Sequence, residues 1–490
     1  MQKKNLFGIA LLCASMFLFT GCDQIVSSLD NPVNSYLQIT EAPKGMLEPG
    51  QTFELKATSI NSDKAIVYES LTPEVATVDA QTGVLTAVDE GKAKIKVSVE
   101  KSDYYNADDS ILIVTVQYPD IKAPLTLEAK EDGKITVNVK KDKNFDDVTA
   151  TKIDSEYKKT TTTISKNTTN EDIIVEIPVK AGEFVRFESK NKGFDEAINI
   201  RVSDSCYVYG NIMSIVNDSE DGDFTKDVEL AGSLKSLFNT ARRLTNHPTR
   251  NIVLPATKLY GNCYFSLFKN CAITRAPELP AETVKNGVYR QMFMGCTKLA
   301  KAPKLIAEDL TSCTNCYQEM FSGCILLASA PELPATKLAN NCYQKMFFGC
   351  TALTKAPELK ADQVYGYSYA EMFSGCVQLV NAPKLPATKL KSNCYRQMFQ
   401  NCTALTKAPD LNVANLVDGS SAISNCYREM FKGCTNLKAV KCLATTNITG
   451  NNVTDWLSGV SGTGIFTRAA GATWNSGASG IPVGWTVISE

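Results

Sequence analysis

The stretch Cys342-Tyr343-Gln344-Lys345-Met346-Phe347-Phe348-Gly349-Cys350-Thr351-Ala352-Leu353-Thr354-Lys355-Ala356-Pro357-Glu358-Leu359 decides how the second half of this chain is read, because it recurs. Its second cysteine falls at Cys271, Cys296, Cys324, Cys350, Cys376, Cys402 and Cys434, at spacings of 25, 28, 26, 26, 26 and 32 residues. A phenylalanine stands three residues earlier each time: Phe268, Phe293, Phe321, Phe347, Phe373, Phe399 and Phe431. A degenerate earlier copy holds Leu237-Phe238, Leu244, His247-Pro248 and Leu254-Pro255-Ala256-Thr257. A unit this short cannot bury its apolar face alone, so neighbouring copies must stack to make one core. Cys342, Met346 and Cys350 lie at i, i+4 and i+8 and would share one face of a short helix, with Phe347 beside it. Pro357 forbids helix further on and ends the following extended piece. One short helix and one short strand per copy predict an α/β solenoid. A strand spacing of about 4.8 Å gives eight coils a length of about 40 Å.

Such coils are those of a leucine-rich-repeat solenoid, expected over residues 226–445. The repeat resembles that of BspA-like leucine-rich-repeat surface proteins of anaerobic Gram-negative bacteria, whose hallmark is Ala-Phe-x-x-Cys-Thr-x-Leu. Here Met replaces the small residue before Phe in most copies. The resemblance covers residues 230–445 and implies a surface adhesin or binding protein. His247 occupies the position before the repeat proline, which makes it a cap residue rather than a catalyst.

Composition narrows the functional classes. The chain has 490 residues, with 51 Lys+Arg against 52 Asp+Glu and a single histidine. Its 44% hydrophobic and 21% charged content is that of folded soluble domains, and not of a disordered or multi-span membrane chain. A near-zero net charge argues against nucleic acid as the main partner. One histidine excludes multi-histidine zinc sites and leaves one candidate base for a Ser-His or Cys-His scheme.

The first residues read as an address. Lys3 and Lys4 precede an apolar run over 6–19, too short for a membrane span, so residues 1–21 are expected to be a signal peptide. Leu18-Phe19-Thr20-Gly21-Cys22 resembles a bacterial lipoprotein box, with Phe19 in place of the usual Leu. The resemblance implies cleavage before Cys22, lipidation of Cys22, a tether over 22–34 and a lipid-anchored place on the outer membrane, exposed at the cell surface.

Residues 35–118 alternate with the period of strands. Lys92-Ala93-Lys94-Ile95-Lys96-Val97-Ser98-Val99 has one wet face, residues 53–57 form another strand, and residues 111–116 form a more buried one. Pro73-Glu74-Val75-Ala76-Thr77-Val78-Asp79, Thr82-Gly83-Val84-Leu85-Thr86-Ala87-Val88 and Gly91-Lys92-Ala93-Lys94-Ile95 resemble a group-2 bacterial immunoglobulin-like domain. The resemblance implies an all-β sandwich serving as spacer or adhesion module. Residues 119–220 are expected to form a second β domain, with strands at 173–179 and 184–187 and an exposed loop over 158–170. Residues 217–223 have the acidic spacing of a calcium loop, but its closing carboxylate position falls on Val228, so a solvated acidic turn is the reading preferred.

Seventeen cysteines suggest a disulfide framework in an exported protein. Their positions favour ladders of buried thiols instead. Where Val288 or Ser368 replaces the first cysteine of a pair, Cys296 or Cys376 remains, whereas obligatory partners would vanish together. Inter-coil disulfides and metal sites stay as alternatives. Cys313-Thr314-Asn315-Cys316 has zinc-like spacing, but no second such pair accompanies it.

The residue before each Ala-Pro makes a column of Arg275, Lys301, Ser329, Lys355, Asn381 and Lys407, continued by Lys438 in the last copy. Arg275, Lys301, Lys355, Lys407 and Lys438 are the candidate ligand-binding residues, unless they are only a solvated rim balanced by Glu278, Glu332, Glu358 and Asp410. A tyrosine column from Tyr264 to Tyr427 either packs against the next coil or stacks on sugars. Residues 446–490, with Trp456, Trp474 and Trp485, are expected to cap the array. No catalytic residues, cofactor or metal are expected. The leading expectation is a non-catalytic, lipid-anchored adhesin that binds host extracellular protein or glycan. An accessory glycan-binding lipoprotein of a nutrient-uptake system is the alternative, and a carboxylate-based glycoside hydrolase a remote third. The oligomeric state is not legible.

Overall fold

The structure, a computed structural model, describes residues 32–141, 143–216, 223–225, 229–230, 232–418 and 421–490. The expected signal peptide, the lipidation site Cys22, most of the tether and nearly all of the 217–223 turn lie outside these residues. The chain forms two compact units, Met1–Tyr118 and Pro119–Glu490.

In the first unit, eight strands run in order: β1 (Tyr36–Glu41), β2 (Thr52–Glu54), β3 (Lys56–Ile60), β4 (Ile66–Ser70), β5 (Ala76–Val78), β6 (Val84–Ala87), β7 (Gly91–Val99) and β8 (Asp108–Val116). They pair as β1-β3, β2-β6-β5 and β4-β7-β8. Alternation sets the faces: Ala93, Ile95, Val97 and Val99 of β7 are buried while Lys92 and Lys94 are not. Gly83 has φ +71, and a Cβ there would lie 2.7 Å from the Leu55 carbonyl oxygen, so the Thr82-Gly83 turn has room only for glycine. Asp79 closes that turn by accepting from the Gln81 and Thr82 amides. The strand over 111–116 is less buried than its composition suggests. Ile111 and Ile113 are exposed opposite Lys96 and Lys94, on the outer face of β7-β8.

The second unit begins with β9 (Leu125–Ala129), β10 (Gly133–Val139), β11 (Val148–Ile153), β12 (Lys159–Ile164), β13 (Ile173–Val179), β14 (Phe184–Ser189), β15 (Ile198–Val202) and β16 (Cys206–Asn211). One sheet is β13-β10-β15 and the other runs β12-β11-β14-β9-β16. The threonine-rich segment read as a loop is in part β12, an edge strand, because β-branched residues suit an extended, half-exposed ladder. β16 also pairs in parallel with Leu244–Asn246 and Ile252–Val253 of the degenerate first copy. This junction is clamped by buried Arg250, whose Nε lies 3.1 Å from Asp120 and whose guanidinium covers the Tyr209 ring at 4.1 Å. One apolar core therefore runs from Leu125 to Trp485.

The expected α/β leucine-rich-repeat solenoid is not what the repeats form. Among the described residues there is no α-helix; the only helical segments are two 3-10 turns, Ile212–Ile215 and Gly450–Asn452. The reason lies in the backbone. Asn341, Lys345 and Gly349 have φ of 59°, 55° and 68°, and the same four-residue recurrence of left-handed φ marks every copy from Asn262 to Gly433. A right-handed helix cannot pass through such residues. The segment is a run of turns with a split set of hydrogen bonds. The amides of Gln344, Met346, Phe348 and Cys350 donate three residues back, to Asn341, Tyr343, Lys345 and Phe347. Those of Tyr343, Lys345, Phe347 and Gly349 donate to Ser368, Ala370, Met372 and Ser374 of the next copy. A turn repeating every four residues puts Cys342, Met346 and Cys350 on one face just as a helix would, so the spacing that suggested helix could not exclude turns.

Copies lie directly upon one another. Phe321, Phe347 and Phe373 stack at centroid separations of 5.8 and 5.7 Å, nearly coplanar, and Tyr317, Tyr343 and Tyr369 do likewise at 5.6 and 5.8 Å. The Met, Phe and second-Cys columns are buried throughout. Trp456 receives both aromatic columns, 6.3 Å from Tyr427 and 6.4 Å from Phe431. Beyond it, Ala439–Cys442, Ile465–Arg468 and Thr486–Ser489 form a parallel three-stranded sheet.

Candidate functional site

The extended piece of each copy contributes one rung to an edge of the stack, and this edge carries the basic column. Isolated parallel bridges join Arg275 to Lys301, Ser329 to Lys355, Lys355 to Asn381, Asn381 to Lys407, and Lys407 to Ala439. The column is thus carried on two runs of backbone rungs, Arg275 to Lys301 and Ser329 to Ala439, and Lys301, Lys355 and Lys407 are exposed along it. Lys438 is not on it: Ala439 takes that rung, and Lys438 is displaced by one residue, its amide donating to Thr406. Counting from the second cysteine does not settle the rung by itself, since Arg275 lies four residues after Cys271 and still pairs with Lys301. Lys301, Ser329, Lys355, Asn381, Lys407 and Ala439 are each five residues on, whereas Lys438 is four.

The charges are spaced rather than crowded. Ser329 and Asn381 separate Lys301, Lys355 and Lys407 by two rungs each. Two strand spacings make about 10 Å, close to the screening length at physiological salt, so mutual repulsion is mild. Among the described residues no ion pair engages these three lysines. Arg275 is committed inward: its guanidinium donates to the carbonyls of His247 at 2.8 Å and Arg250 at 2.7 Å. Beside it opens a groove of about 830 Å³ lined by Asp120, Asn251, Leu254, Glu278 and Lys301, among others. Apolar walls with a few charged groups are what a binding cleft requires.

His247 holds a turn. Its Nδ1 accepts from the amides of Thr249 and Arg250, and its ring stands edge-on to Tyr207 and Tyr209 at 5.1 and 5.2 Å. Burial, aided by Arg250, lowers its pKa. The tyrosine column is buried inside the stack and offers no sugar platform. Trp456 and Trp485 are also buried, with Nε1 donating to the carbonyls of Gly480 and Ser461.

Of the fifteen described cysteines, thirteen are free and buried, and Cys313 and Cys316 are joined in a disulfide. Among the described residues no cluster of three or more His, Cys, Asp or Glu is placed to hold a metal ion. The second cysteine has a specific task. Sγ of Cys350, Cys376 and Cys402 donates at 3.1 Å to the carbonyl of the phenylalanine one copy earlier, Phe321, Phe347 and Phe373. In the first-cysteine column Ser368 keeps a donor, its hydroxyl bonding to Ala339. Burial pushes the thiols of Cys296, Cys350 and Cys434 up to about 12 from an ordinary 9.0. The native protein should therefore resist a thiol reagent such as DTNB at pH 8 and react with most free thiols only once unfolded. Between pH 9 and about 12 the unfolded chain ionises thiols that the folded chain keeps protonated, so stability should fall as pH rises through that window. Rapid titration of the native thiols at pH 8 would overturn the assignment.

Residues 38–107 match the family model of the bacterial Ig-like domain (group 2), so the first unit carries such a domain. No curated protein matches the chain. Among the described residues no helix is long and apolar enough to cross a membrane.

Proposed function

We propose that this chain is a non-catalytic binding protein of the cell surface, which presents its stacked repeats for adhesion to a host extracellular protein or glycan. In this reading the leader is removed, Cys22 is lipidated, and the body is held at the outer membrane. Three things support it: the Ig-like domain, a type common as spacer or adhesion module; the resemblance of the repeat sequence to BspA-like surface proteins; and the lipoprotein-like Leu18–Cys22 stretch. The observation that carries the binding surface is the run of parallel rungs that lines up Lys355 and Lys407 on an exposed edge, with exposed Lys301 on the run before it. Such a row attracts acidic or polar partners and acts mainly on the rate of encounter.

The test replaces all three lysines by serine, which Ser329 already shows to fit a rung. Association with immobilised extracellular-matrix proteins should slow by roughly tenfold at low salt, and the wild-type rate should fall towards the variant's as salt rises. Equal association rates for the two proteins would remove the ladder as the site.

A further inference from the structure

The repeats depart from their own rule at one place, and the departures converge. The residue before the first cysteine lies in the left-handed region in each copy and is Asn262, Gly287, Asn315, Asn341, Asn393 and Asn425 in six of them. In the seventh it is Tyr367, at φ 58°. Asn and Gly tolerate that backbone, whereas a bulky aromatic residue occupies it at a cost. Tyr367 is also 37% exposed, unlike the column tyrosines. The second departure is the 32-residue spacing between Cys402 and Cys434. The extra residues form a small hairpin, Val417–Asp418 paired with Ser421–Ala422.

These two irregularities bound one cleft of about 650 Å³, on the turn edge of three consecutive copies. Its aromatic wall is Tyr365 and Tyr367, and its polar groups include Asn341, Asn393, Lys391 and Asp418. Lys391 and Asp418 neutralise each other at 2.6 Å. Asn393 is only 9% exposed. Its backbone amide donates to the Ser424 carbonyl, which fixes the residue at the cleft.

We propose that this cleft binds a neutral saccharide. The chemistry matches on three counts. The exposed Tyr367 ring offers an apolar face with a polar tip, suited to the C–H face of a sugar ring. Asn341 and Asn393 each donate and accept, as adjacent hydroxyls require. The internal ion pair leaves no net charge to select an anion. A cleft of this volume holds a ligand of one or two sugar rings. The proposal rests on the binding reading above but uses a different edge from the lysine ladder.

The test applies the full-length chain to a printed array of neutral gluco-, galacto- and manno-oligosaccharides with their sulfated counterparts. Wild type should be retained on one or more neutral glycans. Tyr367→Asn restores the residue most copies carry, so its melting temperature should match or exceed wild type while glycan affinity falls at least tenfold. Asn393→Gly, which introduces the residue that Gly287 supplies at the same position of another copy, should also fall at least tenfold. The triple lysine-to-serine variant should bind the array like wild type. No retention on any neutral glycan, preference for the sulfated set, or equal binding by Tyr367→Asn would each overturn the proposal. Matrix-protein binding that survives Tyr367→Asn but not the lysine changes would leave the ladder reading intact, which separates the two failures.

Discussion

Phe347→Ala should destabilise the repeat array by about 3–5 kcal/mol, the range for emptying a fully buried aromatic site. Phe347 is wholly buried between Phe321 and Phe373, with ring centroids 5.8 and 5.7 Å away. Truncation removes both stacking contacts and leaves a void that rigid turns on either side cannot close. Phe347→Leu keeps most of the apolar volume and should cost markedly less. The denaturation midpoint of the full chain reads the overall loss, and hydrogen exchange at the Met372 and Cys376 amides reads its location. A loss below about 1 kcal/mol for the alanine variant would mean that the column is not a packed core.

Trp456→Ala should cost a similar amount, about 3–5 kcal/mol, and should change the behaviour of the array end. Trp456 is fully buried, faces Tyr427 and Phe431, stacks on Trp474 at 5.2 Å, and donates Nε1–H to the Gly480 carbonyl at 2.8 Å. Its removal uncovers the last rings of two aromatic columns, and a repeat stack without its terminal cover is prone to self-association. The variant should show a lower melting temperature and concentration-dependent light scattering. A monomeric variant of wild-type stability would show that the tail is an appendage and not a lid on the core.

What could be read in advance follows from which physical signals are local. Period-two alternation in Lys92-Ala93-Lys94-Ile95 placed lysines out and apolar residues in, because successive side chains of a strand must point oppositely. Cysteine and phenylalanine columns were legible as interior because a short copy has no other place for them. The backbone between them was misread. Four-residue turns and a 3.6-residue helix both bring Cys342, Met346 and Cys350 together, and only the residues preceding each cysteine distinguish them. Asn341 and Gly349, like Asn393 and Asn401, favour left-handed φ, which a helix interior would reject. Threonines over 159–164 suggest a polar loop when side-chain polarity is weighed above β-branching, and here β-branching decided. Lys438 was misplaced because the last copy lacks the proline that aligns the others, having Val440 after Ala439. The Tyr367 cleft was invisible for a different reason: a repeat pattern draws attention to what recurs, and the cleft is built from what does not.

Alternate amides in each copy bond forward to the next in the same manner at successive junctions, so the donating surface of one copy fits the accepting surface of any other. A copy inserted or excised whole leaves no orphaned donor except at the two ends. Unequal recombination between such near-identical segments could therefore lengthen or shorten the reach of this protein one rung at a time, with its ends and its Ig-like unit untouched.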